Sequence, residues 1–272
     1  MRAAAEAVDW LAVCPARTGL FTDFDGTLSD IVLHPELARP LPSVPEVLKR
    51  LAARLGVVAV VSGRPAAWLV EQLALGGNAG SGRLEAYGLH GLEHTSGGAV
   101  ELEPAAAAWE EVAAEARDEA LAAHIAGLEV EDKRYGVTLH WRRASEPAVV
   151  REQAARLAER LAARTGLLIR PGKASVELVA PVGIDKGSVV RTRSRAGDIE
   201  RMAFFGDDVS DLPAFAALEE LAEAGAVAAL KVAVAGSEAP EELVGRADLV
   251  LASPDEALRL LVSLADRLES GG

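Results

Sequence analysis

A single cysteine, Cys14, stands in 272 residues. That excludes an internal disulfide and any cysteine-built metal site, and leaves an unreactive, partly buried thiol as its expected state. Long apolar runs are missing too: no stretch approaches the roughly eighteen residues of a membrane span, and Glu6, Asp9 and Pro15 interrupt the region where a signal peptide would be apolar. A cytoplasmic location with no membrane partner is therefore expected. Basic residues are in short supply, 28 Lys and Arg against 41 Asp and Glu, for a net charge of −13. This argues against a nucleic-acid partner, which would need clustered Lys and Arg, and means that an anionic substrate would require a local positive site. No internal repeat or low-complexity linker breaks the chain. The only flexible loop expected on composition is the glycine-rich segment 76–82.

What is present is a half-apolar chain, long enough for one large α/β domain or for a core carrying a smaller one. Short β-type runs alternate with amphipathic helical stretches, as in a parallel sheet covered by helices on both faces. Strands are expected at 20–24, 57–61, 85–88, 202–205 and 228–234. Ser43 and Glu46 have capping-box spacing ahead of a helix over 47–55, and Gly56 stands where a helix end favours positive φ. Pro65 can occupy the first turn of another helix, and Ser253, Pro254 and Glu256 cap a closing helix to about residue 268. The middle differs, with a helix over 104–125, a strand or hairpin over 129–142, a helix over 145–164, and a hairpin over 167–179 turning at Pro171 and Gly172. The expected fold is thus α/β, a doubly wound parallel-sheet (Rossmann-like) core with an inserted α+β cap domain. Its domains are residues 1–102 and 182–272 for the two parts of the core and 103–181 for the cap.

Four segments carry candidate chemistry. Asp23-Phe24-Asp25-Gly26-Thr27 follows an apolar strand, and ligands in doubly wound sheets bind beyond the carboxyl ends of strands. Alternation places Asp23 and Asp25 on one side and Phe24 on the other, while Gly26 permits a sharp exit turn. Ser62-Gly63-Arg64, between a strand and a helix N-terminus, suits an anion, although Ser-Gly after a strand is often only a turn. Lys186 opens a helical stretch after the inserted module; taken alone, such a lysine is usually exposed and idle. Gly206-Asp207-Asp208-Val209-Ser210-Asp211 follows another apolar strand. Three carboxylates this close repel one another, which implies a bound cation, and one or two carboxylates plus a substrate phosphate suit Mg²⁺.

In this order the four segments resemble the motifs of the haloacid-dehalogenase superfamily of phosphotransferases. The resemblance covers both halves of the core. It implies Asp23 as a nucleophile toward phosphorus, Asp25 as general acid and then general base, and Lys186 as a counter-charge to the phosphate. Thr27 and Ser62 would orient the phosphate. Mg²⁺ would be held by Asp23, Asp207 and the carbonyl of Asp25, with Asp208 and Asp211 acting through metal-bound water or holding Lys186.

The position of the inserted module, together with VVSGR, Gly88-Leu89-His90-Gly91-Leu92-Glu93, Glu131-Asp132-Lys133, Leu139-His140-Trp141-Arg142, and Gly172-Lys173 with Glu177, is similar to the trehalose-6-phosphate phosphatase family. That narrower likeness implies a small-molecule sugar phosphate as partner, with Glu131, Lys133 and Glu177 on the sugar hydroxyls. It adds Arg64, His90, His140 and Arg142 as further substrate contacts. Within the strands, alternation pairs Glu131 with Lys133 and His140 with Arg142 on common faces. His34, His94 and His124 carry no supporting pattern, and Trp109 and Trp141 are expected to pack the cap. One departure stands out: the family motif Gly-Asp-Asp-x-Thr-Asp-Glu has Ser210 and Leu212 here in place of threonine and glutamate. Phosphatases of glucosylglycerol phosphate, mannosylglycerate phosphate or sucrose phosphate therefore remain alternatives, as, more distantly, does a sugar phosphomutase. Oligomeric state leaves no mark on the sequence, and a monomer would suffice.

Overall fold

The computed structural model describes residues 3–32, 34–75, 83–96, 99–195, 199–236 and 239–271; the segment 76–82 lies wholly outside them. The chain divides into two compact units, Met1–Glu101 with Ile184–Gly272, and Leu102–Gly183.

The first unit comprises α1 (Ala4–Leu11), β1 (Thr18–Thr22), α2 (Val44–Ala52), β2 (Val57–Val61), α3 (Ala66–Gln72), β3 (Leu84–Gly88), β4 (Glu93–Ser96) and β5 (Ala99–Leu102). The last of these reaches the boundary. The second unit follows, with α4 (Pro104–Ala107), α5 (Glu110–Ala122), β6 (Glu129–Asp132), β7 (Gly136–His140), α6 (Pro147–Thr165), β8 (Leu168–Gly172) and β9 (Ser175–Val179). The chain then returns to the first unit with α7 (Lys186–Arg195), β10 (Arg201–Gly206), α8 (Leu212–Glu223), β11 (Ala228–Val234), α9 (Glu241–Arg246), β12 (Leu249–Leu251) and α10 (Pro254–Ser270).

The large sheet has the order β12-β11-β10-β1-β2-β3-β4-β5, parallel from β12 to β3 and antiparallel at β3/β4. Every residue of β1 and of β2 is buried, which explains why they read as continuous apolar runs rather than as alternating ones. Their side chains nonetheless divide between two layers. Leu20, Val58, Val60 and Phe205 pack with α1, α2 and α10, whereas Phe21, Val57, Ala59, Val61 and Phe204 pack with α7, α8 and α9. Burial of each of these Leu, Val and Phe side chains contributes about 1.5–3 kcal/mol. The sheet order reverses direction between β1 and β10, so the ligand-binding crevice of this topology lies at their carboxyl ends. The second unit is a four-stranded antiparallel sheet, β6-β7-β9-β8, whose Val130, Val137, Leu139, Val176 and Leu178 pack on α5 and α6.

Local readings were altered wherever tertiary contacts overrode them. β1 ends at Thr22, two residues before the apolar run does, because the Phe24 carbonyl accepts the N–H groups of Leu28 and Ser29 and turns the chain. Ser43 does not cap: it is left-handed at φ 74°, and α2 begins directly after it. Pro65 precedes α3 rather than occupying its first turn, and the Ala66 N–H is taken by Glu93 Oε2 at 2.8 Å. The helix expected over 104–125 is broken at Ala108 and Trp109, where the Trp109 ring joins the core of the second unit. Pro171 and Gly172 belong to β8, and the turn falls at Lys173 and Ala174. Since β8 is an edge strand, the N–H that Pro171 lacks costs no internal ladder bond. At α10 the expected cap forms, with Ser253 Oγ accepting from the Glu256 N–H.

Gly56 is needed for space, not for positive φ. A Cβ there would lie 2.6 Å from the Ala16 carbonyl oxygen and 2.7 Å from Ile199 Cδ1. Gly56→Ala should therefore destabilise the protein by about 1–3 kcal/mol through overpacking. Gly56→Asn should cost at least as much, whereas asparagine would be the better-tolerated residue if left-handed geometry were the requirement. Urea denaturation of both variants checks this.

Candidate active site

The site is assembled at the carboxyl ends of β1, β2 and β10. Asp23 continues the β1/β10 pairing by one hydrogen bond, donating its N–H to the Phe205 carbonyl at 2.8 Å. Phe24 then turns into the apolar layer beneath, and Gly26, at φ 78°, reverses the chain. A side chain on Gly26 would overlap the Asp207 carboxylate, and one on Gly206 would overlap that of Asp211. Glycine at 26 lets the acidic loop approach the first motif directly, and glycine at 206 lets that loop fold back on itself.

At the centre lies Lys186, 1% exposed. Its Nζ is 2.9 Å from Asp23 Oδ2 and 2.7 Å from Asp211 Oδ1. The other Asp211 oxygen accepts the N–H groups of Asp207 and Asp208 at 2.9 and 3.0 Å, and Asp23 Oδ1 accepts the Phe24 N–H at 2.7 Å. Burial alone would lower the Lys186 pKa, but Asp211 and Asp23 outweigh it and hold the ammonium charged, above the usual lysine range. Burial pushes the Asp23 carboxyl well above its usual value. Lys186 opposes this, while Asp211 and Asp207 add repulsion. One ammonium thus stands against three neighbouring carboxylates, in contact with those of Asp23 and Asp211.

Ligand oxygens of Asp23, Asp207 and Asp211 all lie within 4.8 Å of one another, and all three residues are buried. This all-oxygen set with surplus negative charge fits a hard divalent cation, which would offset the repulsion that raises Asp23. Asp208 is outside the cluster and only partly buried.

Asp25 has a different partner. Its carboxylate accepts from Arg64 Nε and Nη2 at 2.8 and 2.7 Å, a bidentate pair. Ser62 is buried, and its Oγ accepts the Arg64 N–H at 3.2 Å. The His90 N–H donates to the Ser62 carbonyl, and the His90 ring lies against Gly63 in a turn where His90 itself has φ 60°. Thr27 is fully buried, and its hydroxyl has no hydrogen-bond partner among the described residues.

The remaining candidates lie together in the second unit. Glu131 Oε1 is 2.8 Å from Lys133 Nζ, and Glu131 Oε2 is 2.8 Å from His140 Nε2. Glu131 stands opposite Thr138, which stands opposite Glu177, and Thr138 Oγ1 donates to Glu177 Oε1 at 3.2 Å. Glu131, Thr138, His140 and Glu177 thus share the sheet face away from the apolar one. Strand alternation does not account for Lys133 or Arg142, because β6 ends at Asp132 and β7 at His140. Lys133 reaches back to Glu131, whereas the Arg142 guanidinium is turned to the Lys173 carbonyl at 3.4 Å. Thr138 and Arg170, which is in register with Glu177, escaped the sequence reading. The period of two from His140 would have found Thr138. The same reading missed Trp68 and quoted Glu93 only within the motif 88–93, without a role; the two support Arg64 and its loop.

A family model for trehalose-phosphatase matches residues 21–243. The chain belongs to the trehalose-phosphatase family. The motif-bearing segments of the first unit and the whole of the second lie inside that span, and the fold is that of haloacid-dehalogenase phosphatases with a cap domain. Among family relatives, the trehalose-phosphate phosphatase of Mycolicibacterium paratuberculosis is 35% identical over 93% of this chain and 63% of its own length. The chain thus spans somewhat under two thirds of that relative. The C-terminal domain of the Candida albicans trehalose-6-phosphate phosphatase superposes with a TM-score of 0.78 at 22% identity, covering 96% of each chain. The Aspergillus fumigatus trehalose-6-phosphate phosphatase gives 0.61 at 25% identity, covering 97% of each.

Burial raises the Glu131 carboxyl, but the hydrogen bond with His140 and the Lys133 ammonium outweigh it and hold the pKa at about 2. A carboxyl depressed on folding contributes stability that is present above its unfolded value, about 4.3, and is lost as pH falls toward the folded value. Acidification from pH 5 to pH 3 should therefore weaken hydrogen-exchange protection of the β6 and β7 amides in the wild type more than in Glu131→Gln. The difference should be modest, because the pair is partly solvent-screened.

Proposed function

We propose that this chain is an Mg²⁺-dependent phosphatase that hydrolyses trehalose 6-phosphate to trehalose and phosphate through an aspartyl-phosphate on Asp23. The observation that carries the reading is the Lys186 ammonium buried between Asp23 and Asp211 at the switch point of the sheet. A positive charge there, with a second supplied by a cation among Asp23, Asp207 and Asp211, lets a phosphate dianion approach an anionic nucleophile.

In the first step an Asp23 oxygen forms a bond to phosphorus as the bond to the sugar oxygen breaks, and Asp25 delivers a proton to that departing oxygen. In the second step Asp25 takes a proton from water, whose oxygen attacks phosphorus and releases Asp23 and inorganic phosphate. Arg64 holds Asp25 in place for both transfers, and Thr27 and Ser62 orient the phosphate. When bound, Mg²⁺ supplies Lewis-acid stabilisation of charge on the phosphoryl oxygens. Sugar recognition is assigned to the polar face of the second unit, chiefly Glu131, Lys133 and Glu177, with His140 and Arg142 as further contacts, and His90 of the first unit is assigned to the substrate as well. Trehalose 6-phosphate is favoured over other glycosyl phosphates by family membership and by the names of the relatives. The chain is read as cytoplasmic, and the described residues contain no helix long and apolar enough to cross a membrane.

Asp23→Asn should abolish phosphate release while leaving circular dichroism and the thermal midpoint close to wild type; substantial turnover by this variant would refute the mechanism. Mg²⁺ at ten to a hundred times its Kd should stabilise the wild type by about 1–3 kcal/mol, seen as a rise in thermal midpoint that Asp207→Asn loses. Replacing Glu131, Lys133 or Glu177 by Ala should lower kcat/KM for trehalose 6-phosphate about tenfold or more, given roughly 1.5–3 kcal/mol per hydrogen bond to a charged group. An aryl phosphate should be affected far less, and equal losses on both substrates would remove the assignment of sugar recognition.

A further inference from the structure

Arg64 is fixed at its backbone from several directions. Its N–H donates to Ser62 Oγ, its carbonyl accepts the Leu89 N–H at 2.9 Å, and two residues on, the Ala66 N–H is held by Glu93. None of these bonds determines where the long side chain lies. Its guanidinium is only 13% exposed, yet the Asp25 carboxylate that it chelates is 37% exposed and has water as a competing partner.

The side chain is seated by Trp68, one turn along α3. The Arg64 guanidinium carbon lies 4.7 Å from the centre of the Trp68 ring. The Trp68 ring is in turn met edge-on by Phe24, at 5.1 Å between centroids and 88° between planes. Phe24 is the residue between Asp23 and Asp25, and it is fully buried. The contacts therefore close a ring: Phe24 sets Trp68, Trp68 carries Arg64, and Arg64 grips Asp25, the next residue after Phe24. An indole face attracts a guanidinium through its quadrupole and, being flat, favours the planar orientation that a bidentate carboxylate pair requires.

We propose that Trp68 is a positioning residue for the reaction, acting on Asp25 through Arg64. This rests on the reading of Asp25 as the proton-transfer group. The consequence is specific: loss of the indole lets the guanidinium and Asp25 sample other rotamers, which slows the chemical steps without weakening substrate binding.

The test is a double-mutant cycle on Trp68→Leu and Arg64→Met, with kcat, KM and the thermal midpoint of each variant measured on trehalose 6-phosphate and on an aryl phosphate. Trp68→Leu should lower kcat roughly five- to tenfold with KM nearly unchanged. In the Arg64→Met background the same substitution should have no further effect on kcat, although it lowers the thermal midpoint in both backgrounds. Trp68→Phe, which retains an aromatic face, should recover most of the rate and guards against misfolding of the leucine variant. Equal losses of kcat in the two backgrounds, or no loss in either, would overturn the proposal. A wild type active only on the aryl phosphate removes the sugar assignment and leaves the cycle readable. If neither substrate is turned over, the seat is still tested by the Arg64 Nε–H resonance, identified by its absence in Arg64→Met. It should lie upfield in the wild type and move downfield in Trp68→Leu, and an unmoved resonance would overturn the seat.

Discussion

A charged lysine with no access to water determines much of the arrangement around it. An ammonium removed from solvent is tolerated only where its partners are close and themselves held, and Lys186 meets both conditions with Asp23 and Asp211. Each partner is fixed by backbone donors in turn, Asp23 by Phe24 and Asp211 by Asp207 and Asp208. The exit of β1, the loop after β10 and the first turn of α7 are thereby tied to one charge. Side chains are excluded at Gly26 and Gly206 for the same reason, since the carboxylates occupy that space.

The unequal count of charges links this structural knot to chemistry. Asp23 gains affinity for a proton, first because it is buried and further because Asp211 and Asp207 repel its charge, and one ammonium does not neutralise three buried carboxylates. A cation would favour the anionic state, which the role of nucleophile proposed for Asp23 requires. Asp25 is kept apart from this cluster by its own guanidinium, so two carboxylates only two residues apart meet different electrostatic surroundings. The reaction proposed for the chain draws on this separation, with one aspartate for attack and the other for proton transfer.

The second unit uses a simpler device. An antiparallel sheet with one face on helices leaves the other face polar, and cross-strand pairing brings Glu131, Thr138, His140 and Glu177 together without any special loop. Polar groups on a sheet face are held by the ladder itself. The acidic cluster around Lys186, by contrast, is gathered at strand ends, where the backbone is free to turn.

The amino-acid sequence made the motifs and many of the elements legible, though not α1, β4, β5 or β12. Buried parallel strands such as β2 and β11 read as unbroken apolar runs, the Ser253 cap is a local hydrogen bond, and acidic pairs immediately after apolar strands mark the carboxyl edge. These are legible because their causes lie within a few residues. Tertiary structure alone decided which charges meet. Nothing near Lys186 in the chain indicates that it is buried against Asp23, 163 residues away, and nothing near Asp25 points to Arg64. Trp68 looks like any apolar residue of a short helix until Phe24 and Arg64 are placed on either side of it. The failures at Ser43, Gly56 and Pro171 have the same origin: each was read by its local propensity, and each was settled by what packs or pairs beside it, a contact energy that no neighbouring residue encodes.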